Sequence, residues 1–238
     1  MIRINVDDSL LKPLRKALGG EDVGRVLSRI ATELAIRSRE IEGIVRIYRR
    51  AGLSAEEALA RVSEDLLGCG ALVLSLCGPM VRELGFSTLD LRLTYLSYSE
   101  GKLTLTFASA SDRLIESGLD YLMITLKGEG SLTLELTGVL CIRDEVGEGR
   151  LKAVKEGVMK LLTGSAEVTS ALKLLREEAL RCFTSCQDVR AEVLEGHALE
   201  LVIRVSGCGW RRLPRVSEAL AVLAPAKALA EEILLTGP

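Results

Sequence analysis

The chain has 238 residues, a formal charge of −2 at pH 7, 48% hydrophobic residues and 3% aromatic residues. This length can bury a sizeable aliphatic core in one large domain or two small ones. The near-neutral charge does not predict attraction to nucleic acid or anionic lipid, and the shortage of aromatic rings argues against single-strand binding by base stacking.

The rest of the composition predicts a thermophilic, cytoplasmic protein. Asn5 and Gln187 are the only amide side chains, and Arg outnumbers Lys by 22 to 9. Few thermolabile amides together with 27% charged residues are typical of thermophilic proteins. Residues 1–8 lack the basic and apolar segments of a signal peptide, which predicts a cytoplasmic location. The uncharged run Leu66–Val81 is shorter than the ~20 residues that cross a bilayer, so we expect a buried helix and no membrane contact.

The amino-terminal region is predicted to be mainly helical. A short alternating strand, Ile2–Val6, precedes one helical stretch, and Asp22 then caps a long helix with apolar residues in steps of four and three, interrupted at Arg37. Such a seam implies a partner helix, either in this chain or in a second copy. The candidate oligomer seam comprises Leu27, Ile30, Leu34 and Ile41. Ser54 and Glu57 then form a capping-box signature for a further helix.

Three strand-turn-strand patterns follow, each centred on a charged glycine turn. They span Leu89–Phe107, Tyr121–Ile142 and Val189–Val205. Apolar residues alternate with polar ones along each, which is the period of an antiparallel sheet with one covered face. Helical patterns lie between and after the hairpins, at Ser111–Ser117, Arg150–Leu162, Ser165–Phe183 and Val216–Leu235.

These elements predict an α+β fold. Its mainly antiparallel sheet of about six strands, formed by three hairpins, is covered by helices on one face, with a helical N-terminal region. We expect a single domain over 1–238, with a soft boundary near 85 between a mainly helical part and the part with hairpins and helices.

The two faces of the sheet are expected to differ. In the first hairpin the predicted inward residues include Leu91, Leu93 and Tyr95, which would pair with Leu103, Leu105 and Phe107. The opposite face is built from Thr, Arg and Glu and has no evident structural duty. We therefore expect a partner surface there, carrying Arg92, Lys102, Arg190 and Arg204.

Residues 1–40, a strand followed by two helical stretches, resemble a ribbon-helix-helix DNA-binding module. In that family the strand pairs with its twin in a dimer and presents alternate side chains to the major groove. The resemblance implies that Arg3 and Asn5 would contact DNA.

The six cysteines and the single histidine suggest no catalytic or metal site. Cys186 and Cys208 flank the third hairpin at its base, so a disulfide between them is a geometric possibility, with buried thiols as the alternative. Cys182, Cys186, Cys208 and His197 are suitable zinc ligands. However, His197 and Cys208 belong at opposite ends of one strand, more than about 20 Å apart at ~3.3 Å per residue.

The sequence thus predicts no cofactor, no metal and no catalytic residues. We interpret the chain as a non-enzymatic binding or assembly module, expected to be a homo-oligomer. The first alternative is a DNA-binding regulator that uses residues 1–40. The second is an enzyme whose active-site residues are dispersed along the sequence.

Overall fold

The computed structural model describes residues 35–62, 91–99, 102–127 and 130–236, together with the isolated positions 24, 25, 28, 32 and 84. The chain divides into two compact units. Unit 1 comprises Met1–Ala108 with Thr125–Gly128, and unit 2 comprises Ser109–Ile124 with Glu129–Pro238. Residues 85–90 lie outside the described part, so the boundary near 85 stays a prediction.

The sheet has six strands and confirms the predicted α+β class. The strands are β1 (Arg92–Ser99), β2 (Lys102–Ser109), β3 (Tyr121–Lys127), β4 (Ser131–Ile142), β5 (Ser185–Glu195) and β6 (Ala198–Cys208). They lie in the order β1-β2-β3-β4-β6-β5. The consecutive strands β1–β2 and β5–β6 pair antiparallel as the expected hairpins, and β3 and β4 are neighbours in the sheet. Strand β4 also pairs antiparallel with β6.

Unit 1 packs helices against its strands. Helix α1 (Ser38–Arg50) packs on β1, and residues 55–62 form a further helical stretch with Ala58 and Val62 buried. The predicted capping box is confirmed. The backbone N–H of Ser54 donates to Glu57 Oε2 at 2.9 Å, and the N–H of Glu57 donates to Ser54 Oγ at 3.2 Å. These bonds lower the pKa of Glu57, because they stabilise its ionised form.

The predicted inward position of Tyr95 is wrong, because β1 contains a β-bulge. The pairing of β1 with β2 shifts register between Leu93 and Tyr95. An extra residue in one strand reverses the alternation beyond it. Tyr95 is therefore 53% exposed, while Leu96 takes the inward position at 4% exposure.

Arg37, the interruption in the apolar seam, contacts this bulge. Its guanidinium donates to Leu93 O from Nε at 3.2 Å and from Nη2 at 3.0 Å, and Nη2 also donates to Thr94 O. Carbonyl groups displaced from regular pairing need other donors. Arg37 supplies them, which explains a charged residue in an otherwise apolar seam.

Unit 2 has three long helices on the inward face of its strands. They are α3 (Glu148–Gly164), α4 (Ala166–Cys182) and α5 (Ser217–Thr236), preceded by the short α2 (Asp112–Glu116) and a 3-10 turn at Arg143–Glu145. Helix α5 packs against α3, α4 and β4, and α4 also packs against β5. Leu134, Leu136, Leu201 and Ile203, from the inward face of β4 and β6, are at most 1% exposed. These helices match the predicted ones.

Gly138 allows α5 to approach β4 closely. A Cβ atom at this position would lie 3.1 Å from Leu223 Cδ2 and 3.6 Å from Lys227 Cε. Lys227 Nζ reaches past the glycine to Asp120 Oδ2 at 2.6 Å. The same carboxylate oxygen accepts the N–H of Val139 at 2.8 Å. The pair therefore connects α5 to the start of the β3–β4 hairpin.

No helix within the described ranges is long and apolar enough to cross a membrane. The uncharged run Leu66–Val81 lies outside those ranges.

Candidate interaction surface on strands β4, β6 and β5

Five charged residues of unit 2 form a continuous stripe on the outward side of its sheet. We call Glu135, Asp188, Arg190, Glu192 and Arg204 the charged stripe. Strand register places Arg204 opposite both Glu135 and Arg190. Arg204 Nε lies 2.7 Å from Glu135 Oε1, and Arg204 Nη1 lies 3.1 Å from Glu192 Oε2. Arg190 Nε lies 2.6 Å from Asp188 Oδ2, and its Nη1 lies 3.9 Å from Glu192 Oε1.

The carboxylates offset the repulsion between the two arginines. Like charges directly opposite each other destabilise a strand pair. The hydrogen bond to Glu135 is the largest cause of the raised pKa of Arg204, and the charges of Glu135, Glu192 and Asp188 act in the same direction. Three carboxylates face two guanidinium groups, so the stripe presents charges of both signs.

The stripe becomes more exposed towards β5. The side chain of Glu135 on β4 is 18% exposed and that of Arg204 on β6 is 32% exposed. On β5, Asp188 reaches 41% and Arg190 reaches 61%. On the same face, Thr137 of β4 and Val202 of β6 lie opposite each other, and each is only 3% exposed. The accessible charges are therefore concentrated at the edge of the sheet.

Strand β5 forms that edge. It comes last in the strand order, paired with β6 on one side, and no other strand in the described part of the chain pairs with its second side. Its register with β6 shifts between Ser185 and Asp188, so a bulge interrupts its first residues. From Asp188 to Glu195 the pairing with β6 is regular.

Contacts at both ends hold β5 in place. At its start, the ring of Phe183 covers Gly207 on β6, and the N–H of Thr184 donates to Cys208 O at 3.0 Å. At its end, Lys155 Nζ on α3 lies 2.6 Å from Glu195 Oε2. This hydrogen bond and the charge of Lys155 lower the pKa of Glu195, with a smaller contribution from Arg143. Both ends of the edge strand are therefore joined to neighbouring elements.

The predicted partner surface includes two residues of the stripe. Arg190 and Arg204 lie in it with their charges offset by carboxylates. Arg92 is exposed on β1 of unit 1. Lys102 lies opposite Ser99 in register, and its side chain lies outside the described part.

Of the four predicted seam residues, Ile41 lies in the described part of the chain, on helix α1, which packs on β1. Ile41 is partly exposed and Ile44 is 3% exposed. The ring of Tyr48 lies 5.2 Å from the ring of Tyr98 on β1, centroid to centroid. Leu27, Ile30 and Leu34 lie outside the described residues, so their role in an oligomer stays a prediction.

The predicted disulfide stays untested, because the side chain of Cys186 lies outside the described part. In strand register, Cys208 lies opposite Ser185, the neighbour of Cys186. Cys141 and Cys182 are buried thiols. Burial raises the pKa of Cys182 to about 11; the charge of Glu178 adds a smaller rise, and the charge of Arg212 has a smaller lowering effect. A thiol with so high a pKa is a poor nucleophile at neutral pH.

His197 lies in the β5–β6 turn and Cys208 at the far end of β6, as the sequence predicts. His197 is exposed. Among the described residues, no group of three or more His, Cys, Asp and Glu side chains could hold a metal ion. Arg3 and Asn5, the candidate DNA contacts, lie outside the described residues.

Two clefts flank the start of α3. The larger, of about 810 Å³, lies between the first turns of α3 and the end of α5, where Arg150 Nη1 donates to Leu234 O at 3.3 Å. Its lining includes Glu145 and Arg150 but neither histidine nor cysteine. The smaller, of about 300 Å³, contains the Lys155–Glu195 ion pair. The lining of the smaller cleft also includes Arg143, Glu148 and Lys152.

The sequence alone does not identify the partners of two charged residues, Lys227 and Arg37. Lys227 is the only basic residue in the 20-residue helix α5, and a lone cation in an apolar helix is a signal that a carboxylate partner exists. Its partner, Asp120, is distant in sequence. Arg37 interrupts the apolar seam in the sequence, but its carbonyl partners result from a bulge that the residue pattern does not predict.

Comparison with known proteins gives no family assignment. No protein-family model matches the chain. No curated protein gives a significant match to it either.

Proposed function

We propose that the protein is a non-enzymatic binding or assembly module that forms a homo-oligomer. The observation that carries this proposal is β5, an 11-residue strand at the edge of the sheet with exposed charges of both signs. An edge strand presents backbone N–H and C=O groups that can pair with another strand.

Three features of β5 favour pairing over protection. Soluble proteins protect edges with very short strands, with rows of Lys or with a covering element. Eleven residues exceed the usual strand length of about 5–6. Its outward charges within the charged stripe are two carboxylates and one guanidinium, which can complement another strand, whereas like charges would repel it; Glu195 at its end is paired with Lys155. The bulge affects only the start of the strand.

Three basic side chains of unit 2 are each paired with a carboxylate. Arg204, Lys155 and Lys227 each lie within 2.7 Å of a carboxylate oxygen. Such pairs orient side chains and connect elements. This arrangement supports a structural and binding role for the described charges more than an enzyme with dispersed residues.

The oligomeric state tests the proposal. Size-exclusion chromatography with light scattering, from about 1 to 100 µM protein, should give a mass at least twice the 25.8 kDa of one chain. Because assembly follows mass action, the measured mass should be greatest at the upper end of this concentration range and should decrease when the protein is diluted below the dissociation constant. A mass of one chain at every concentration would contradict the proposal.

We also propose, from composition, that the module works in the cytoplasm of a thermophile. Thermal unfolding followed by circular dichroism should then give a midpoint above the ~45–65 °C at which mesophilic domains cluster. A midpoint within that range would contradict the thermophilic origin and leave the assembly proposal unaffected.

A further inference from the structure

We propose that β5 pairs with β5 of a second copy of this chain, antiparallel and edge to edge, across a two-fold axis through Ala191. This inference rests on the proposed assembly function and specifies its interface. A two-fold interface brings the same surface patch of both subunits together. The charges along β5 must therefore complement themselves when one strand is reversed.

The register centred on Ala191 meets that requirement. In an antiparallel pair, residues at equal distances on either side of the axis lie opposite each other. Arg190 then faces Glu192 of the partner subunit, and symmetry makes this pair twice. Within one chain the same two residues are 3.9 Å apart, so Arg190 Nη1 is not engaged in a short ion pair with Glu192. Opposite charges facing each other across strands stabilise the pairing.

The inward side of the strand also fits this register. Val189 would face Val193 of the partner subunit, and the opposing alanines at the axis leave room between the strands. Val189 is 7% exposed and lies on the side of the sheet covered by α4. Apolar residues would therefore meet on the helix side and the two Arg190–Glu192 pairs on the outward side, where Asp188 would lie opposite Leu194 of the partner subunit.

Neighbouring registers conflict with the charges or with the bulge. An axis through Arg190 would place two guanidinium groups against each other and Asp188 against Glu192 of the partner subunit. An axis through Glu192 would oppose two carboxylates. An axis through Val189 would pair Asp188 with Arg190 of the partner subunit, but it would run the strands through the bulge between Ser185 and Asp188. The Ala191 axis uses the regular part of β5, from Asp188 to Leu194.

Helix α4 adds apolar area to such an interface. A strand pair alone falls short of the ~1,200 Å² that stable interfaces bury. When two sheets join edge to edge, the helices that cover the edge strands become neighbours. Helix α4 covers β5, and its Leu174 and Leu180 are 51% and 63% exposed. These leucines are exposed apolar side chains of the helix that covers the edge strand.

Two charge reversals and their mixture test the register. Arg190→Glu would oppose carboxylates twice across the axis, and Glu192→Arg would oppose guanidinium groups twice. Each variant alone should dimerise about 10- to 100-fold more weakly than the wild type, from two cross-strand pairs changed from attraction to repulsion. Mixed in equal amounts, the two variants should form a heterodimer, because each position 190 then meets an opposite charge at position 192. Recovery in the mixture also shows that both variants fold.

The control is Arg215→Glu, an exposed arginine in the loop between β6 and α5, which should leave dimerisation unchanged. Light scattering and pull-down of one tagged variant by the other are the measurements. Dimers of undiminished affinity for either single variant, or no heterodimer in the mixture, would overturn the Ala191 register while leaving the assembly function standing. Loss of dimers in Arg190→Glu alone would instead indicate the Val189 axis. A monomeric wild type would overturn both proposals.

Discussion

Substitution of Gly207 by alanine should destabilise the base of the β5–β6 hairpin. Gly207 lies inward on β6, opposite Leu132 of β4. A Cβ atom built there would lie 2.3 Å from Cγ, 2.6 Å from Cδ1 and 2.7 Å from Cβ of Phe183. These atoms belong to the root and ring of a side chain that is 3% exposed, so no flexible end can move aside. Phe183 also joins α4 to β5.

The expected cost is about 2–3 kcal/mol of the free energy of unfolding. Inserting a methyl group into a well-packed core costs about 1–3 kcal/mol, and these distances indicate the upper half of that range. Movement of the Phe183 ring would limit this cost. If the ring rotates out to solvent, the loss is the burial energy of a phenylalanine, about 1.5–3 kcal/mol. Both responses give similar values, so the prediction does not depend on which one occurs.

Guanidinium unfolding, followed by circular dichroism and by the fluorescence of Trp210, measures this cost. The control is Gly149→Ala in α3, where an added Cβ would have no atom within 4 Å. That change should be neutral or stabilising by up to about 1 kcal/mol, because alanine favours the helix. A cost at Gly207→Ala below about 0.5 kcal/mol, or equal to the control, would refute the contact as described.

A double-mutant cycle isolates the contact further. Phe183→Ala alone should cost about 3–5 kcal/mol through the cavity it leaves. The new methyl group at position 207 would then occupy part of that cavity. The double variant should therefore be more stable than the sum of the two single costs predicts, by at least about 1 kcal/mol. Simple additivity would show that Phe183 and position 207 do not interact.

Three further predictions concern other parts of the chain. Arg37→Met should cost about 1–3 kcal/mol, since it removes the donors to Leu93 O and Thr94 O, whereas Arg39→Met, on an exposed side chain, should cost less than about 0.5 kcal/mol. Because the folded pKa of Cys182 is raised to about 11, stability should be unaffected below about pH 9 and should fall as the pH rises from there to 11. The slope attributable to one thiol, at most about 1.4 kcal/mol per pH unit, should disappear in Cys182→Ala. If the resemblance of residues 1–40 to a DNA-binding module is functional, duplex DNA should be retarded in a gel at low salt and Arg3→Ala should weaken that binding; no retardation at low salt would exclude it.

Local patterns in the sequence determined the fold class. Each hairpin alternates apolar and polar residues around a glycine turn, and this period is a property of the extended backbone itself. The capping box at Ser54 and Glu57 is likewise local, since both hydrogen bonds join residues three apart. The sequence also predicted that His197 and Cys208 lie far apart, at opposite ends of β6, because the length of a strand follows from the number of its residues. These features required no knowledge of which strand lies beside which.

The tertiary structure decided which charges meet and which strand forms the edge. Glu135 and Arg204 are 69 residues apart in sequence, yet they lie opposite each other because β6 inserts between β4 and β5. That insertion places β5 at the edge, a position that its alternating sequence does not reveal. The bulge that exposes Tyr95 also depends on pairing, since it changes the register between two strands. Sequence periodicity reports which face of an element is buried, whereas strand order and register are set by contacts between distant residues, and the charged stripe exists only through those contacts.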